Sequence, residues 1–291
     1  EMSGEFARRA IEASGHPVEL LVTEDTRAAV ESADYVIISI RSGAWEPRPL
    51  DIGIPLKYGV NQRVGDTVGP GGIFQGLRNA PDFAVIAGHI RDTAPRALVL
   101  NHSNPMAINC WTWSVAWPEI RHVGLCHSVQ GTTTQLAGYM DVPEEELDCW
   151  VAGINHMAWF LRLERDGEDL YPLLRERMED PEVYAKDPVR FEILRHFDYF
   201  VTESTLHMSE YCPYFRRTPE LIERYGLDNV NLEALSHRYE AHMARLREEI
   251  DSPEPVQLKR THEYTVDIIE AIETDRTARV NVSVPNTGLI T

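Results

Sequence analysis

Three apolar runs constrain the fold: "ADYVIISI" at 33–40, "ALVL" at 97–100 and "HVGLC" at 122–126. Each is short and lacks polar–apolar alternation. That is the pattern of a strand covered on both faces. Helical stretches lie between them, which predicts an α/β fold built on a doubly wound, Rossmann-like parallel sheet. Ligands of such sheets bind beyond the carboxyl ends of the strands. The loops "RSGAWEP", "NHSNP" and "CHSVQG" follow these runs, and "GINHM" follows a similar apolar stretch. All four are expected to converge on one crevice.

Residues 1–14 read as a helix with Phe6, Ala10 and Ile11 on one side. "VELLVT" (18–23) reads as a strand, with Thr26 capping the next helix. "GDTVGPGG" reads as a Gly-rich loop before a helix, and 149–167 as strand, loop, strand. Beyond about residue 168 the chain becomes charged and mostly helical, with a strand and turn at "ARVNVSVPNTG". The expected division is a Rossmann-like domain at 1–153 and a second, α-rich α+β domain at 154–291.

Composition narrows the partners. The chain has 291 residues, 43% of them hydrophobic, and a net charge of −18. Such a surface repels nucleic acid and anionic membranes. No apolar stretch approaches the ~20 residues needed to cross a bilayer. The four cysteines form no CxxC pair, which argues for a reducing, cytoplasmic setting.

Cys126 stands directly before His127. The plain reading of Cys126 is a small buried hydrophobe. The chemical reading pairs it with His156 of "GINHM", which also lies where a parallel strand should end. A thiolate and an imidazole are too few for a structural zinc site. They suit a catalytic metal that keeps positions open for substrate oxygens and water. Asn101 and Asn104 are either turn formers or amides offered to a polyol or nucleotide. "GPGG" (69–72) is either a flexible connection or a nest for an anion. It is not a GxGxxG fingerprint, and the chain contains none. "TESTLHMSEYCPYFRR" (202–217) concentrates Glu203, His207, Glu210, Tyr211 and Tyr214. It is either a helix end on the surface or a catalytic loop with a tyrosine or carboxylate base.

Taken together, "DTVGPGGIFQGLR", "NHSNPMAIN", "GLCHSVQGT", "GINHMAWFL", "YFVTESTLHMSEYCPYF" and "NVSVPNTGLI" resemble glycoside hydrolase family 4, in particular its α-galactosidase branch. The resemblance runs along nearly the whole chain, and the pairing of Cys-His-Ser-Val with Gly-Ile-Asn-His carries most of its specificity. It implies an NAD- and metal-dependent glycosidase. The sugar is oxidised at C3, loses its C2 proton, eliminates the C1 substituent, takes up water and is reduced again. The metal, usually Mn²⁺, acts as a Lewis acid on the C2 and C3 oxygens.

The resemblance places Cys126 and His156 as metal ligands and Asn104 and Asn155 as substrate contacts. Tyr211 becomes the C2 base, its high pKa lowered by the nearby cation. His127 stands where the phospho-sugar branch carries an acidic residue, and is the candidate general acid. "CHSV" points to an unphosphorylated sugar. Arg41, Gly43 and Asn101 are the candidate NAD contacts. A homodimer or homotetramer is expected, as is common in the family.

The family's first strand, Gly-rich dinucleotide loop and following acidic residue would precede Glu1, and its last helices would follow Thr291. The native protein is therefore expected to be longer, and this chain alone to lack tight NAD binding. Other readings are an α-glucosidase or uronidase of the same family, a 2-hydroxy-acid dehydrogenase, or a sugar-binding protein. A dehydrogenase would release NADH with product, and a binding protein would tolerate Cys126→Ser.

Overall fold

The computed structural model describes residues 2–227, 230–259 and 261–286. Helix α1 (Met2–Ser14) is followed by an extended segment and a short helix, α2 (Thr26–Val30). Strands β1 (Tyr35–Ile38), β2 (Leu98–Asn101) and β3 (His122–Gly124) then form a parallel sheet in that order. Ile38 pairs with Asn101, and Asn101 with Gly124, so the three strands end level. Their loops open on the same edge.

Helices α3 (Arg48–Lys57), α4 (Gly69–Thr93), α5 (Met106–Ala116) and α6 (Ser128–Met140) connect and follow these strands. In α4 the buried positions Asn79, Phe83, Ala87 and Ile90 recur every three to four residues. That stripe faces the sheet. Phe83, Ala87, Ile90 and Trp113 pack with Val36, Ile38 and Val99 in one core.

The second half is built on an antiparallel hairpin, β4 (Asp148–Ile154) and β5 (Met157–Arg165). Two-residue strands β6 (Glu168–Asp169) and β7 (Phe200–Val201) pair with β5. Helices α7 (Tyr171–Arg177), α8 (Pro181–Tyr184), α9 (Pro188–Phe197) and α10 (Thr205–Tyr211) surround it. They are followed by α11 (Pro219–Arg224), α12 (Leu232–Asp251) and α13 (Thr265–Glu273). Phe160, Leu163, Leu174, Phe191, Leu194 and Phe200 are fully buried between α6 and these elements. Arg190 pairs with Asp187, lies 4.8 Å over the Phe200 ring and donates to Thr132 Oγ1 of α6 at 2.9 Å. A buried charge needs such a full set of partners. Ser283 bridges back to Gly124 of β3, which stitches the late segment to the parallel sheet.

Several local expectations change. Residues 18–23 form no strand, because none of the described strands pairs with them. Val18, Leu20, Leu21 and Val22 are exposed there. Thr26 is the first residue of α2. Its cap is Asp25, which accepts from the Arg27 and Ala28 N–H groups. The glycines at 69–72 lie in the first turn of α4 rather than in a loop before it. "ARVNVSV" contributes one isolated bridge rather than a strand. Residues 287–290 of the last motif lie outside the described residues. No described helix is long and apolar enough to cross a membrane.

Candidate functional site

Strand β3 ends at Gly124, and pairing continues through the Leu125 N–H to the Asn101 carbonyl at 2.8 Å. Cys126 is thereby delivered to the sheet edge, just before the first turn of α6. His156 arrives differently from the expectation. It does not end a parallel strand but sits at the tip of the β4–β5 hairpin, with φ of +60°. A left-handed backbone at a non-glycine residue is held by its surroundings and is frequent at functional positions. Glu203 follows β7, where the Thr202 N–H donates to the Ala158 carbonyl at 3.0 Å and extends the sheet beside the hairpin.

These three residues meet. Cys126 Sγ lies 3.3 Å from His156 Nε2, and Glu203 Oε1 lies 3.6 Å from the same nitrogen. One donor atom from each falls within 4.8 Å of the others. Glu203 Oε1 is buried and has no hydrogen-bond partner. An orphaned buried carboxylate oxygen is costly unless something positive faces it. A sulfur, an imidazole nitrogen and a carboxylate oxygen form a donor set suited to a divalent transition metal. The residues present therefore fit a metal.

The other face of the ring carries the tyrosine. His156 Nδ1 lies 2.8 Å from the Tyr211 hydroxyl and 3.4 Å from Thr67 Oγ1, and the two hydroxyls touch each other. Thr67 arrives because α4 begins with glycines. A Cβ on Gly72 would lie 2.4 Å from the Thr67 carbonyl carbon, and one on Gly71 would lie 2.1 Å from the Gly65 oxygen. Neither alternative weighed for "GPGG" describes this role, which is close packing of the loop at 65–67.

Burial governs the electrostatics. It pushes the Cys126 thiol up, and Glu203 adds to this, while hydrogen bonds from Ser128 and Asn155 act the other way. Burial, then His207 and His127, pushes His156 down to about 3, so the ring is neutral and ready to bind a cation. Burial also raises Glu203. Burial, then the charges of Asp66, Glu203 and Glu210, pushes the Tyr211 hydroxyl well above the ordinary phenol range.

The remaining candidates are spread around this centre. Asn155 is half-buried and reaches the Cys126 sulfur. Asn104 is half-buried, joins Pro105 by a cis peptide, and accepts at its carbonyl from Asn79 at 2.9 Å. Asn101 is fully buried and spends its amide on Ser103, accepting from its N–H at 3.1 Å and donating to its carbonyl at 3.2 Å. Arg41 lies 5.1 Å over the Trp45 ring, and burial and Arg48 push its guanidinium down to about 10. Gly43, in the same loop, has φ of +78°. His127 is largely exposed, and its Nδ1 lies 3.3 Å from Glu263 Oε1. The other oxygen of Glu263 lies 3.4 Å from His102 Nδ1.

Sequence reasoning missed Thr67 and Glu263, and named Glu203 only as one member of a mixed cluster with a tyrosine or carboxylate base. The orphaned oxygen of Glu203 becomes visible only once β7 is placed beside the hairpin.

Comparison with known proteins gives a consistent relationship. Residues 1–142 match the sequence model of the family 4 glycosyl hydrolases, and residues 151–291 that of the family's C-terminal domain. An α-galactosidase of Bacillus subtilis is 38% identical over 92% of this chain and 63% of its own length. An α-galacturonidase of Lachnoclostridium phytofermentans is 29% identical over 90% of this chain and 61% of its own length. The chain thus spans less than two thirds of these relatives. A crystal structure of a 6-phospho-α-glucosidase from gut microorganisms, in complex with NAD and Mn²⁺, superposes with a TM-score of 0.79. It is 22% identical, over 97% of this chain and 67% of that one, and the fold is shared.

Proposed function

The chain belongs to family 4 of the glycosyl hydrolases, and we propose that it carries the metal and substrate site of an NAD- and Mn²⁺-dependent α-galactosidase. The single observation behind this reading is the His156 ring. One nitrogen faces Cys126 and Glu203, and the other faces Tyr211. The 38% identity to an α-galactosidase supports the sugar class, and the related complex with NAD and Mn²⁺ supports the cofactors. When bound, NAD⁺ supplies a hydride acceptor and the divalent metal a Lewis acid for sugar oxygens.

The side chains divide the remaining work. Cys126 and His156 would hold the metal, with Glu203 beside them. A histidine that coordinates through Nε2 carries its proton on Nδ1 and donates it. Here the acceptor is the Tyr211 oxygen, which stabilises the phenolate. Burial is the main cause that raises Tyr211, and a divalent cation held by Cys126, His156 and Glu203 would offset the negative charges that add to it. Tyr211 then takes the C2 proton, and Asn104 and Asn155 orient the sugar. His127, exposed at the rim and held by Glu263, is assigned the leaving-group proton. Arg41, Gly43 and Asn101 are assigned to the cofactor side, Asn101 through its loop, since its own amide is engaged.

The assignment extends to a division at 153/154, a cytoplasmic setting and a homo-oligomer. A second reading, an α-galacturonidase, draws on the relative of that name. The test is turnover of p-nitrophenyl-α-galactoside by the protein expressed from its full reading frame, with NAD⁺, Mn²⁺ and a thiol. Activity independent of both cofactors refutes the class. A preference for α-galacturonides replaces the galactoside assignment.

A further inference from the structure

We infer that Glu210 is a positioning residue that fixes where the Tyr211 and Thr67 hydroxyls meet His156. The inference rests on the reading of Tyr211 given above. Glu210 Oε1 accepts the backbone N–H groups of Arg63 and Val64, and Oε2 accepts that of Gly65 at 2.9 Å. Three consecutive N–H groups make a concave anion-binding array. Here a carboxylate of the same chain fills it, and hydrogen bonds to a charged acceptor are stronger than neutral ones.

The position of this clamp gives it its consequence. Glu210 and Tyr211 are the last two residues of α10, and Thr67 lies two residues beyond Gly65. The carboxylate therefore locks loop to helix immediately beside the point where the two hydroxyls touch. On its other side the loop rests on the glycines of α4. Arg216 ties Ser209, at 2.7 Å, to Asn61, at 3.3 Å, which gives the loop a second attachment when Glu210 is replaced. Loss of Glu210 should thus shift the hydroxyls without unfolding the domain. A displacement of this kind, near 1 Å, costs roughly a hundredfold in rate.

The test uses Glu210→Ala and Glu210→Gln in the protein expressed from its full reading frame, with thermal unfolding to verify the fold. In Glu210→Ala, the amides of 63–65 should exchange with deuterium about tenfold faster or more. Its kcat should fall about 10- to 100-fold with KM and Mn²⁺ affinity nearly unchanged. Glu210→Gln keeps an acceptor oxygen and should recover part of both effects. In a Tyr211→Phe background, Glu210→Ala should cost little more, because groups acting as one unit are not additive. Unchanged exchange at 63–65, or full additivity with Tyr211→Phe, overturns the inference. If the wild-type protein shows no cofactor-dependent turnover, the functional reading falls, and the exchange result alone decides whether Glu210 holds the loop.

Discussion

The pH dependence of metal affinity follows from the environments of the three donors. Burial keeps Cys126 protonated well above neutrality, so each metal bound displaces one thiol proton. His156 is held down to about 3, so it displaces none at pH 5.5–7. Glu203 is raised by burial, and replacing it with Gln removes its protons from the count. In Glu203→Gln combined with Tyr211→Phe, which removes the phenol proton from the count as well, one displaced proton makes Mn²⁺ binding tenfold tighter per pH unit, or about 30-fold between pH 5.5 and 7. A histidine with an ordinary value of 6.5 would add a second proton below that pH, steepening the change to about 250-fold. Isothermal titration calorimetry in buffers of different ionisation enthalpy measures both the affinity and the protons released. A dependence near 250-fold refutes the dry, neutral His156. A flat profile refutes Cys126 as the thiol that ligates.

Three further outcomes test other parts of the structure. Tyr211→Phe should lower kcat about 10²- to 10⁴-fold, the range for a proton-transfer group, and weaken the calorimetric Mn²⁺ affinity by about 10- to 100-fold at most, because its oxygen orients His156. Gly72→Ala should destabilise by about 2–3 kcal/mol or more in urea unfolding, because its Cβ meets the backbone of Thr67 rather than a flexible side chain. Phe160→Ala should cost about 3–5 kcal/mol in the same assay. Trp150→Ala, on the same hairpin but 53% exposed, should cost much less.

The parallel sheet was legible because its strands are short, apolar and continuous, although β1 is not covered on both faces as such runs suggest, since Ile37 is 54% exposed. Cys126 followed from the position of its loop at a strand end. His156 was found for a partly mistaken reason. Its hairpin reads like a parallel strand and loop, since a two-residue turn leaves little trace between two apolar stretches. "VELLVT" has strand composition, yet pairing is a property of neighbours, and no described strand lies beside it. Asp25, rather than Thr26, caps α2, a one-residue ambiguity between two good capping residues. Glu203 depends on β7, a strand of two residues that no periodicity can reveal. Glu263, just ahead of α13, reaches His127 although the two are far apart in the sequence.

The donor set also has a topological meaning. Cys126 belongs to the parallel sheet, whereas His156 and Glu203 belong to the antiparallel one, and the first two are 30 residues apart. Neither sheet alone can hold the cation with more than part of its grip. Any ligand that binds only the docked arrangement draws the equilibrium toward it. Metal capture of the kind proposed would therefore act as a checkpoint on assembly: a chain whose two sheets had come together wrongly would fail to load.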